Sequence, residues 1–286
     1  MAIQFEKVNF YYKNPPHPPQ KTTATLSDIN LKINSQNEFI ALVGKTGSGK
    51  STLVQLMNAL LTTNIGKVTV CGTTITSKTK KELLVPLRQK VGLVFQFPEY
   101  QLFEITVLKD VMFGAEVFLN NKQQAQKQAF KTLEQINIPP ALHQKSPFQI
   151  SDGQQRKVAI AGILAMQPDI LILDEPTRGL DLESSSDIMD FLQILHQTFH
   201  KNIIIITHDM NLVAQYAKRV LVLSQGKLLF DGTKETFFEH PRFEQFNLDI
   251  PDTFKILKHL NQTLGIPFQA HYCFSTLAQY LKEFYC

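Results

Sequence analysis

The chain has 286 residues, of which 43% are hydrophobic and 19% charged, and its net charge at pH 7 is +4. This composition is typical of a folded globular protein and excludes a disordered or fibrous one. The length allows one large α/β domain with a modest extension, and the lysines and arginines are too scattered to predict a nucleic-acid partner.

The cysteines and the apolar segments indicate in which compartment the protein acts and whether it crosses a membrane. Cys71, Cys273 and Cys286 show neither a CxxC motif nor a metal-ligand spacing, so we expect three free thiols in a reducing compartment. The segment Met1 to Phe10 lacks the pattern of a signal peptide, and the apolar runs are far shorter than the ~20 residues that cross a bilayer. Any membrane role must therefore come through a partner.

The first predicted elements form an antiparallel layer. Apolar and polar residues alternate from Ile3 to Phe10, as in a half-buried strand. The proline-rich segment Asn14 to Gln20 predicts an exposed loop, and a second strand is expected near Ala24 to Ile33.

Continuous apolar runs then predict a parallel sheet that is covered on both faces. The runs are Phe39 to Val43, Val91 to Phe95, Ile170 to Leu173, Ile203 to Ile206 and Val220 to Leu223.

A helical insertion is predicted between two portions of this sheet, at about residues 97–160. Its candidate helices are Val107 to Leu119, Lys122 to Ile136 and Gln154 to Ala165. After Gly232 the sequence becomes helical and aromatic, which predicts an appended module.

A P-loop motif, Gly-Lys-Thr-Gly-Ser-Gly-Lys-Ser, occupies residues 44–51, between a predicted strand and a helical pattern from Thr52 to Leu61. Its glycines let backbone N–H groups point at phosphate oxygens, and the helix N-terminus adds partial positive charge. Lys50 is expected to reach the β- and γ-phosphates, and Ser51 to supply a hydroxyl to Mg²⁺. The predicted nucleotide contacts are Gly44, Lys45, Thr46, Gly47, Ser48, Gly49, Lys50, Ser51 and Thr52.

Two adjacent carboxylates, Asp174 and Glu175, end the predicted strand that begins at Ile170. Ligands of open α/β sheets bind at this edge. Asp174 therefore suits a metal site, and Glu175 can orient or deprotonate the water that attacks the γ-phosphate. An ordinary solvated loop start is the alternative, and the preceding P-loop favours the functional interpretation.

The segment Ile150 to Gln154, Ile-Ser-Asp-Gly-Gln, precedes a predicted helix. Ser151 and Gln154 can form a capping box, which is a purely structural interpretation. A capped N-terminus can also present N–H groups to the γ-phosphate of an ATP held by another subunit.

The order of these motifs resembles the ABC ATPase family, whose signature is usually Leu-Ser-Gly-Gly-Gln. The resemblance implies an α/β P-loop fold with a mainly parallel sheet core, an antiparallel β layer, an inserted helical subdomain and a C-terminal extension. It implies an ATP hydrolase that uses ATP and Mg²⁺. The ABC ATPase domain would span residues 1–235, and the helical extension, residues 236–286, would contact a second ATPase.

The resemblance also implies further site residues. Tyr12 matches the aromatic that stacks on adenine, with Tyr11 as a close rival, and the segment 179–181, Gly-Leu-Asp, matches the D-loop between subunits. The implied catalytic residues are Glu175, His208 and Gln96; the implied metal ligands are Ser51, Gln96 and Asp174; and further implied nucleotide contacts are Tyr12, Asp174, Ser151, Gly153 and Gln154.

Three segments resemble one branch of the family, the ATPase subunits of energy-coupling factor vitamin importers: Gln96 to Phe103, Ser146 to Phe148 and Val158 to Gly162. In that family two non-identical ATPases pair on a transmembrane coupling protein, and a separate membrane component captures the vitamin. This chain resembles the second ATPase type. The resemblance implies a peripheral protein at the cytoplasmic face of the membrane. We expect Phe97 to Phe103, including Glu99, to form the groove that receives a basic helix of the coupling protein.

Asp152 departs from the family pattern, because it replaces the first glycine of the signature. Its charge predicts weak turnover at the site that this chain completes for its partner. Two other functions are less favoured. A soluble ABC ATPase acting on ribosomes or DNA would carry two cassettes or a long coiled coil, whereas this chain has one P-loop. A nucleotide sensor without turnover would not need Glu175 and His208.

Overall fold

A computed structural model of the chain describes residues 2–12, 24–35, 37–119 and 121–284. The predicted proline-rich loop Asn14 to Gln20 and Cys286 lie outside these ranges. In chain order the strands are β1 Ile3–Phe10, β2 Leu26–Ile33, β3 Phe39–Val43, β4 Ile65–Val70, β5 Thr73–Ile75, β6 Val91–Val94, β7 Ile170–Asp174, β8 Asn202–Ile206, β9 Arg219–Ser224 and β10 Lys227–Thr233. The α-helices are α1 Lys50–Met57, α2 Val85–Lys90, α3 Val107–Leu119, α4 Lys122–Gln135, α5 Asp152–Leu164, α6 Leu182–Phe199, α7 Met210–Tyr216, α8 Lys234–Phe238, α9 Asp252–Leu264 and α10 Phe274–Lys282.

The central sheet contains all five predicted core strands. Its order is β10-β9-β3-β8-β7-β6, and the pairs among β9, β3, β8, β7 and β6 are parallel. Alternate residues of β3 enter two separate hydrophobic clusters, Phe39, Ala41 and Val43 in one and Ile40 and Leu42 in the other. Both faces of the sheet are therefore covered, which explains why its strands are apolar at every position.

The two edges of this sheet differ. At one edge, β6 is four residues long and buried throughout. At the other edge, β10 pairs antiparallel with β9, and the register shifts between Leu228 and Phe230. The sequence did not predict β10 because its residues alternate between exposed and half-buried, so it lacks a continuous apolar run.

A second, antiparallel sheet has the order β2-β1-β4-β5. The strands β1 and β2 confirm the predicted layer, with Ile3 paired to Ile33 on one side and to Val70 on the other. The strands β4 and β5 were not predicted. The first three residues of β4 are exposed, so its apolar alternation begins only at Val68.

The predicted helical segment between the sheet portions is present. Helix α3 has the predicted bounds, α4 ends one residue earlier than predicted, and α5 begins two residues earlier because Ser151 caps it. The expected boundary of about 160 falls inside α5, which continues to Leu164. Helix α1 ends at Met57, short of the predicted Leu61, since Ala59 adopts a left-handed backbone conformation (φ 59°).

The C-terminal extension, residues 236–286, joins the core through aromatic packing. Phe237 is fully buried and contacts Phe230, Phe238 and Phe243 with ring centroids 4.9 to 5.6 Å apart. Beyond this cluster the extension has a small hydrophobic core of its own. That core contains Leu257, Ile266, Leu277 and Tyr280.

A reciprocal pair of hydrogen bonds also ties the extension to the core. The side-chain amide of Asn211, in the first turn of α7, donates to Asp252 Oδ2 at 2.9 Å, and the backbone N–H of Asp252 donates to Asn211 Oδ1 at 2.9 Å. The start of α9 is thereby fixed to the loop that carries His208.

Two further expectations can be compared with the fold. Across the described ranges, every helix is too short or too polar to span a bilayer. Cys71 and Cys273 are free thiols, as predicted.

Candidate nucleotide site

The P-loop connects β3 to α1 through backbone conformations that require glycine. Gly44 has φ 145°, and a Cβ atom there would lie 2.1 Å from the carbonyl oxygen of Leu223. Gly49 has φ 104°, and its Cβ would lie 2.9 Å from the carbonyl oxygen of Thr25. A side chain at either position would force the loop away from its neighbours.

Most of the predicted phosphate contacts lie on this loop or on the first turn of α1. Lys45, Thr46 and Gly47 are exposed, whereas Ser48 is buried. Helix α1 begins at Lys50, so its first N–H groups have no partner within the helix and face the loop. The arrangement gives an anion-binding site at the helix N-terminus.

Lys50 lies across the P-loop. Its Nζ donates to the carbonyl oxygens of Gly44 at 2.6 Å and Lys45 at 3.0 Å. Burial lowers the pKa of Lys50, and the nearby carboxylates of Asp174 and Glu175 oppose that shift. The ammonium group therefore stands between the loop and the two predicted functional carboxylates.

Asp174 ends β7 beside the P-loop helix. Its Oδ2 accepts a hydrogen bond from Ser51 Oγ at 3.3 Å. Burial, and then the charge of Glu175, raise the pKa of Asp174. Among the described residues, no group of three or more His, Cys, Asp or Glu side chains is arranged so that it could hold a metal ion. Adjacent hydroxyl and carboxylate oxygens fit Mg²⁺, which keeps several waters.

Glu175 lies in hydrogen-bond contact with His208, one of the implied catalytic residues. Its Oε1 lies 2.7 Å from His208 Nδ1, and its Oε2 lies 3.5 Å from Thr207 Oγ1. The carboxylate is 14% exposed and the imidazole 70% exposed. Glu175 has φ 49°, and its N–H donates to the carbonyl oxygen of Ile206 at 2.9 Å. The carboxylate is thus held at the sheet edge, beside an imidazole that faces solvent.

Gln96 lies at the same edge. In the parallel pair of β6 and β7, Val94 lies beside Leu173. Gln96 is two residues after Val94, and Glu175 is two residues after Leu173, so both follow the same end of the sheet. Gln96 is half-buried. The topology therefore brings Gln96 to the same end of the sheet as the two carboxylates.

Tyr12 lies against the P-loop helix. Its hydroxyl is 3.1 Å from Thr52 Oγ1, and its ring meets Phe10 edge to face at 5.0 Å. The side chain is otherwise largely exposed, as a stacking platform must be. Tyr11 is half-buried, and its backbone N–H donates to Asn64 Oδ1. Adenine stacking by Tyr12 stays a prediction.

The signature segment caps α5. Ser151 Oγ accepts from the Gln154 N–H at 3.4 Å, and Gln154 Oε1 accepts from the Ser151 N–H at 3.2 Å, which confirms the capping box. Asp152 is exposed, and Gly153 is buried against Ser184. In the described part of the chain no hydrogen bond joins this segment to the P-loop.

The D-loop segment, residues 179–181, leads into α6. Gly179 has φ 79°, and Asp181 caps α6 by accepting from the Ser184 N–H at 2.7 Å and from Ser184 Oγ at 2.9 Å. Because Ser184 also contacts Gly153, the D-loop and the signature helix are packed together.

One residue in this region was missed by the sequence analysis. Arg156 is 2% exposed, and its guanidinium binds Glu99 through Nε (2.6 Å) and Nη2 (2.9 Å). Glu99 therefore already has a cation within the chain and is not an open site for a basic helix, which corrects that part of the docking expectation. The helical spacing of Arg156 from Gly153 and Ile160, both buried, was the signal that could have found it.

An apolar groove opens beside the segment Phe97 to Phe103. It lies between that segment, α3 and α5, and has a volume of about 320 Å³. Phe103 and Phe113 meet edge to face at 5.0 Å, and both are more than 45% exposed. The groove walls include Pro98, Leu102, Phe103, Phe113, Val117 and Ile163.

Comparisons with known proteins show the family of the chain. The family model of ABC transporters matches residues 26–178. The chain is 43% identical to the energy-coupling factor transporter ATP-binding protein EcfA2 of Lactococcus lactis subsp. cremoris, over 93% of this chain and 91% of the relative. It is also 43% identical to the protein of the same name from Bacillus subtilis, over 85% and 88% of the two chains.

Solved structures show the same fold. The cbiO1 protein of Clostridium perfringens, described as part of the ABC transporter complex cbiONQ, superposes with a TM-score of 0.74 at 31% identity, over 92% of this chain and 96% of that one. The ATP-binding cassette MJ0796, in a dimeric post-hydrolysis state with ADP and Pi, gives a TM-score of 0.70 at 27% identity, over 81% and 98%. The chain is an ATP hydrolase of the ABC transporter family, and within it belongs to the ATP-binding proteins of energy-coupling factor transporters.

Proposed function

We propose that this chain hydrolyses ATP to power an importer of the energy-coupling factor type for vitamins or related micronutrients, at the cytoplasmic face of the membrane. The observation that carries the proposal is the sheet edge where the P-loop, Asp174, and the pair of Glu175 and His208 converge. Relatives named energy-coupling factor transporter ATP-binding proteins share more than 40% identity with this chain over most of its length.

The chain's own residues have distinct roles in this proposal. The P-loop N–H groups and Lys50 bind the phosphates and offset their negative charge. Ser51, Asp174 and Gln96 would hold Mg²⁺, and the ion would offset the negative charge of the phosphates. Nothing in the donor set conflicts with that ion, because all three groups present oxygen.

Glu175 orients the attacking water and accepts its proton. His208 holds the γ-phosphate and, through its 2.7 Å contact, also holds Glu175. The imidazole is exposed, so it can reach a substrate that enters from the solvent side. Tyr12 stacks on the adenine, next to its contact with Thr52.

A second, similar ATPase subunit completes each site in this proposal. Ser151, Gly153 and Gln154 present the N-terminus of α5 to the γ-phosphate held by the partner's P-loop, and the D-loop passes between the subunits. Leu182, directly after the D-loop, is 91% exposed, which fits a residue that a partner covers. The extension, residues 236–286, provides a further contact between the two ATPases.

The transmembrane coupling protein docks on the apolar groove near Phe97 to Phe103. Exposed aromatic side chains on a rigid wall are typical anchors for a partner helix. Because Glu99 is bound by Arg156, the docking rests on apolar contact with Phe103 and Phe113 rather than on that carboxylate. The substrate-capture component would act only indirectly.

The test is co-purification followed by transport. The tagged chain is co-expressed with the second ATPase, the coupling protein and a vitamin-capture protein, and the complex is placed in vesicles. We expect ATP-driven vitamin uptake that is lost with Lys50→Ala. Phe103→Glu combined with Phe113→Glu should reduce recovery of the membrane proteins at least ~10-fold, as for a hot-spot pair, with ATP affinity unchanged.

Phe130→Glu is the matched control. Phe130 is an exposed aromatic of the same helical segment, on α4, outside the groove. Its variant should co-purify like the wild type. Normal recovery of the Phe103 and Phe113 double variant would contradict the docking site, and uptake that persists with Lys50→Ala would contradict the proposed role of the chain.

A further inference from the structure

The guanidinium of Arg156 connects three parts of the nucleotide site. Besides its two bonds to Glu99, its Nη1 donates to the carbonyl oxygen of Pro176 at 2.8 Å and its Nη2 donates to that of Arg178 at 3.2 Å. The planar fork of arginine is suited to hold several acceptors in fixed positions. One buried side chain thus links the signature helix, the segment after Gln96 and the loop after Glu175.

The loop after Glu175 needs such support. Glu175 has φ 49°, a left-handed conformation that a residue with a Cβ adopts only when the surrounding structure enforces it. Its own N–H is held by the carbonyl oxygen of Ile206. On the other side, the carbonyl oxygen of Pro176, the next residue, is held by Arg156. The strained residue is therefore fixed from both ends.

The same guanidinium also contacts the segment after Gln96 through an aromatic ring. Its Cζ lies 5.8 Å from the ring centroid of Phe97, a distance at which cation–π attraction operates. Phe97 itself has φ 54°. Two neighbouring residues of this segment, Phe97 and Glu99, therefore bind the group that holds the loop of Glu175. A displacement of the segment must move Arg156 or break these contacts.

We propose that Arg156 is a positioning residue for ATP hydrolysis, which holds the peptide after Glu175 in its strained conformation and ties it to the segment Phe97 to Phe103. The inference rests on the proposed role of Glu175. If the segment Phe97 to Phe103 moves, Arg156 transmits that movement to the loop that holds the carboxylate of Glu175. In this role Arg156 acts through the backbone of the loop, by binding the carbonyl oxygens of Pro176 and Arg178.

A double-mutant cycle tests this inference. In the purified transporter, with the second ATPase's own site silenced at its P-loop lysine, kcat and KM for ATP are measured for Arg156→Lys, Glu175→Gln and the double variant. Lysine keeps the charge but loses the fork, so we expect kcat to fall at least ~10-fold with KM within ~2-fold. Residues that act as a unit are non-additive, so adding Arg156→Lys to Glu175→Gln should change the residual rate by less than ~2-fold.

Lys157→Gln is the matched control, because Lys157 is the next residue of α5 and its Nζ donates to Asp187 Oδ2 of α6 at 2.7 Å rather than to Glu99 or to the loop after Glu175. Its kcat should stay within ~2-fold of the wild type. If Arg156→Lys fails to assemble, Glu99→Gln enters the same cycle, since it alters the same ion pair from its other side.

The outcomes separate the two claims. A wild-type kcat for Arg156→Lys, or a full additional loss on top of Glu175→Gln, would overturn the positioning role while leaving the role of Glu175 intact. Retained turnover in Glu175→Gln alone would instead remove the proposed role of that carboxylate.

Discussion

The phosphate-binding edge of the central sheet and the C-terminal extension are built on different principles. At the edge, backbone conformation and single side chains decide the structure: Gly44 cannot carry a Cβ, and Glu175 is held in a left-handed conformation. In the extension, contacts among large apolar side chains decide it, as around Phe237 and Leu257. The edge therefore tolerates few substitutions, because its backbone conformations and functional groups are specific. The extension is instead destabilised when a large apolar side chain is replaced by a smaller one.

This difference predicts that chemistry and stability can be changed separately. Substitutions of the functional side chains at the edge, such as Glu175, should lower turnover with little effect on unfolding. Substitutions in the small core of the extension should lower local stability with little effect on ATP affinity. The Asn211 and Asp252 pair is the polar link between the two regions.

The largest effect is expected at the edge, for Glu175→Gln. General-base and water-orienting groups contribute ~10²- to 10⁴-fold, so turnover at this chain's site should fall by at least ~100-fold while ATP still binds. Steady-state hydrolysis, measured with the second ATPase present and its own site silenced, is the readout. Glu239→Gln, the same chemical change at an exposed position of the extension, should leave turnover unchanged. Retained hydrolysis in Glu175→Gln would count against the role.

The next effect is expected in the extension, for Leu257→Ala. Leu257 is fully buried in the small core, and such truncations cost about 2–5 kcal/mol. Amide hydrogen exchange in α9 and α10 should speed up, while ATP affinity of the isolated chain stays within ~2-fold because the edge keeps its contacts. Leu264→Ala, an exposed leucine on the same helix, is the control. Equal protection in both variants would show that this core does not hold the extension.

A smaller effect is expected for Asp152→Gly, because two local forces oppose each other. At the start of α5 a carboxylate is favourable by about 0.3–1 kcal/mol, so the chain should lose slightly in stability. Opposite a γ-phosphate the same charge is repulsive by at most ~4 kcal/mol, so the partner's site should turn over severalfold faster. The rate is read with Lys50 replaced, which silences this chain's own site. Equal rates with aspartate and glycine would mean that the carboxylate points away from the nucleotide.

The smallest effect compares Cys273 of the extension with Cys71, which lies between β4 and β5 of the antiparallel sheet. Hydrogen bonds from the Ser275 and Thr276 hydroxyls lower the pKa of Cys273 to about 7, whereas burial raises the pKa of Cys71 above its ordinary value. A lowered pKa favours the thiolate above pH 7, so alkylation of Cys273 by iodoacetamide should rise as pH passes through about 7 and then level off. Cys71 should still be mostly unreacted there, as peptide-resolved mass spectrometry would show.

Ser275→Ala together with Thr276→Ala supplies the control for the cysteine comparison. Without the two hydroxyls, the alkylation profile of Cys273 should move to higher pH. An unchanged profile would show that the hydroxyls do not stabilise the thiolate.

The sequence predicted the phosphate-binding edge better than the outer strands of the two sheets, for physical reasons. Buried parallel strands need unbroken apolar runs, and P-loop geometry needs glycine at fixed positions, so Phe39 to Val43 and Gly44 could be read directly. Strands that are half exposed, such as β4 and β10, leave no such run. The fold of the core was therefore largely predictable, while its outer strands were not.

Contacts between residues that are far apart in the sequence could not be predicted either. The binding of Arg156 to Glu99, 57 residues apart, and of Asn211 to Asp252, 41 residues apart, depends on how helices pack and not on any local pattern. The sequence placed Glu99 on an open docking surface because nothing near it in the chain is a partner. The capping box of Ser151 was predicted correctly because both of its partners lie within one helical turn.

The two outermost strands of the central sheet, β6 and β10, affect how the chain behaves at high concentration. A long, flat edge strand recruits other strands and leads to aggregation. Here one edge is the short, buried β6, and the other is β10, with a register shift at Leu228 and exposed charges on Lys227 and Asp231. Neither of these edges offers a template for strand addition. Aggregation by strand addition at the central sheet is therefore disfavoured.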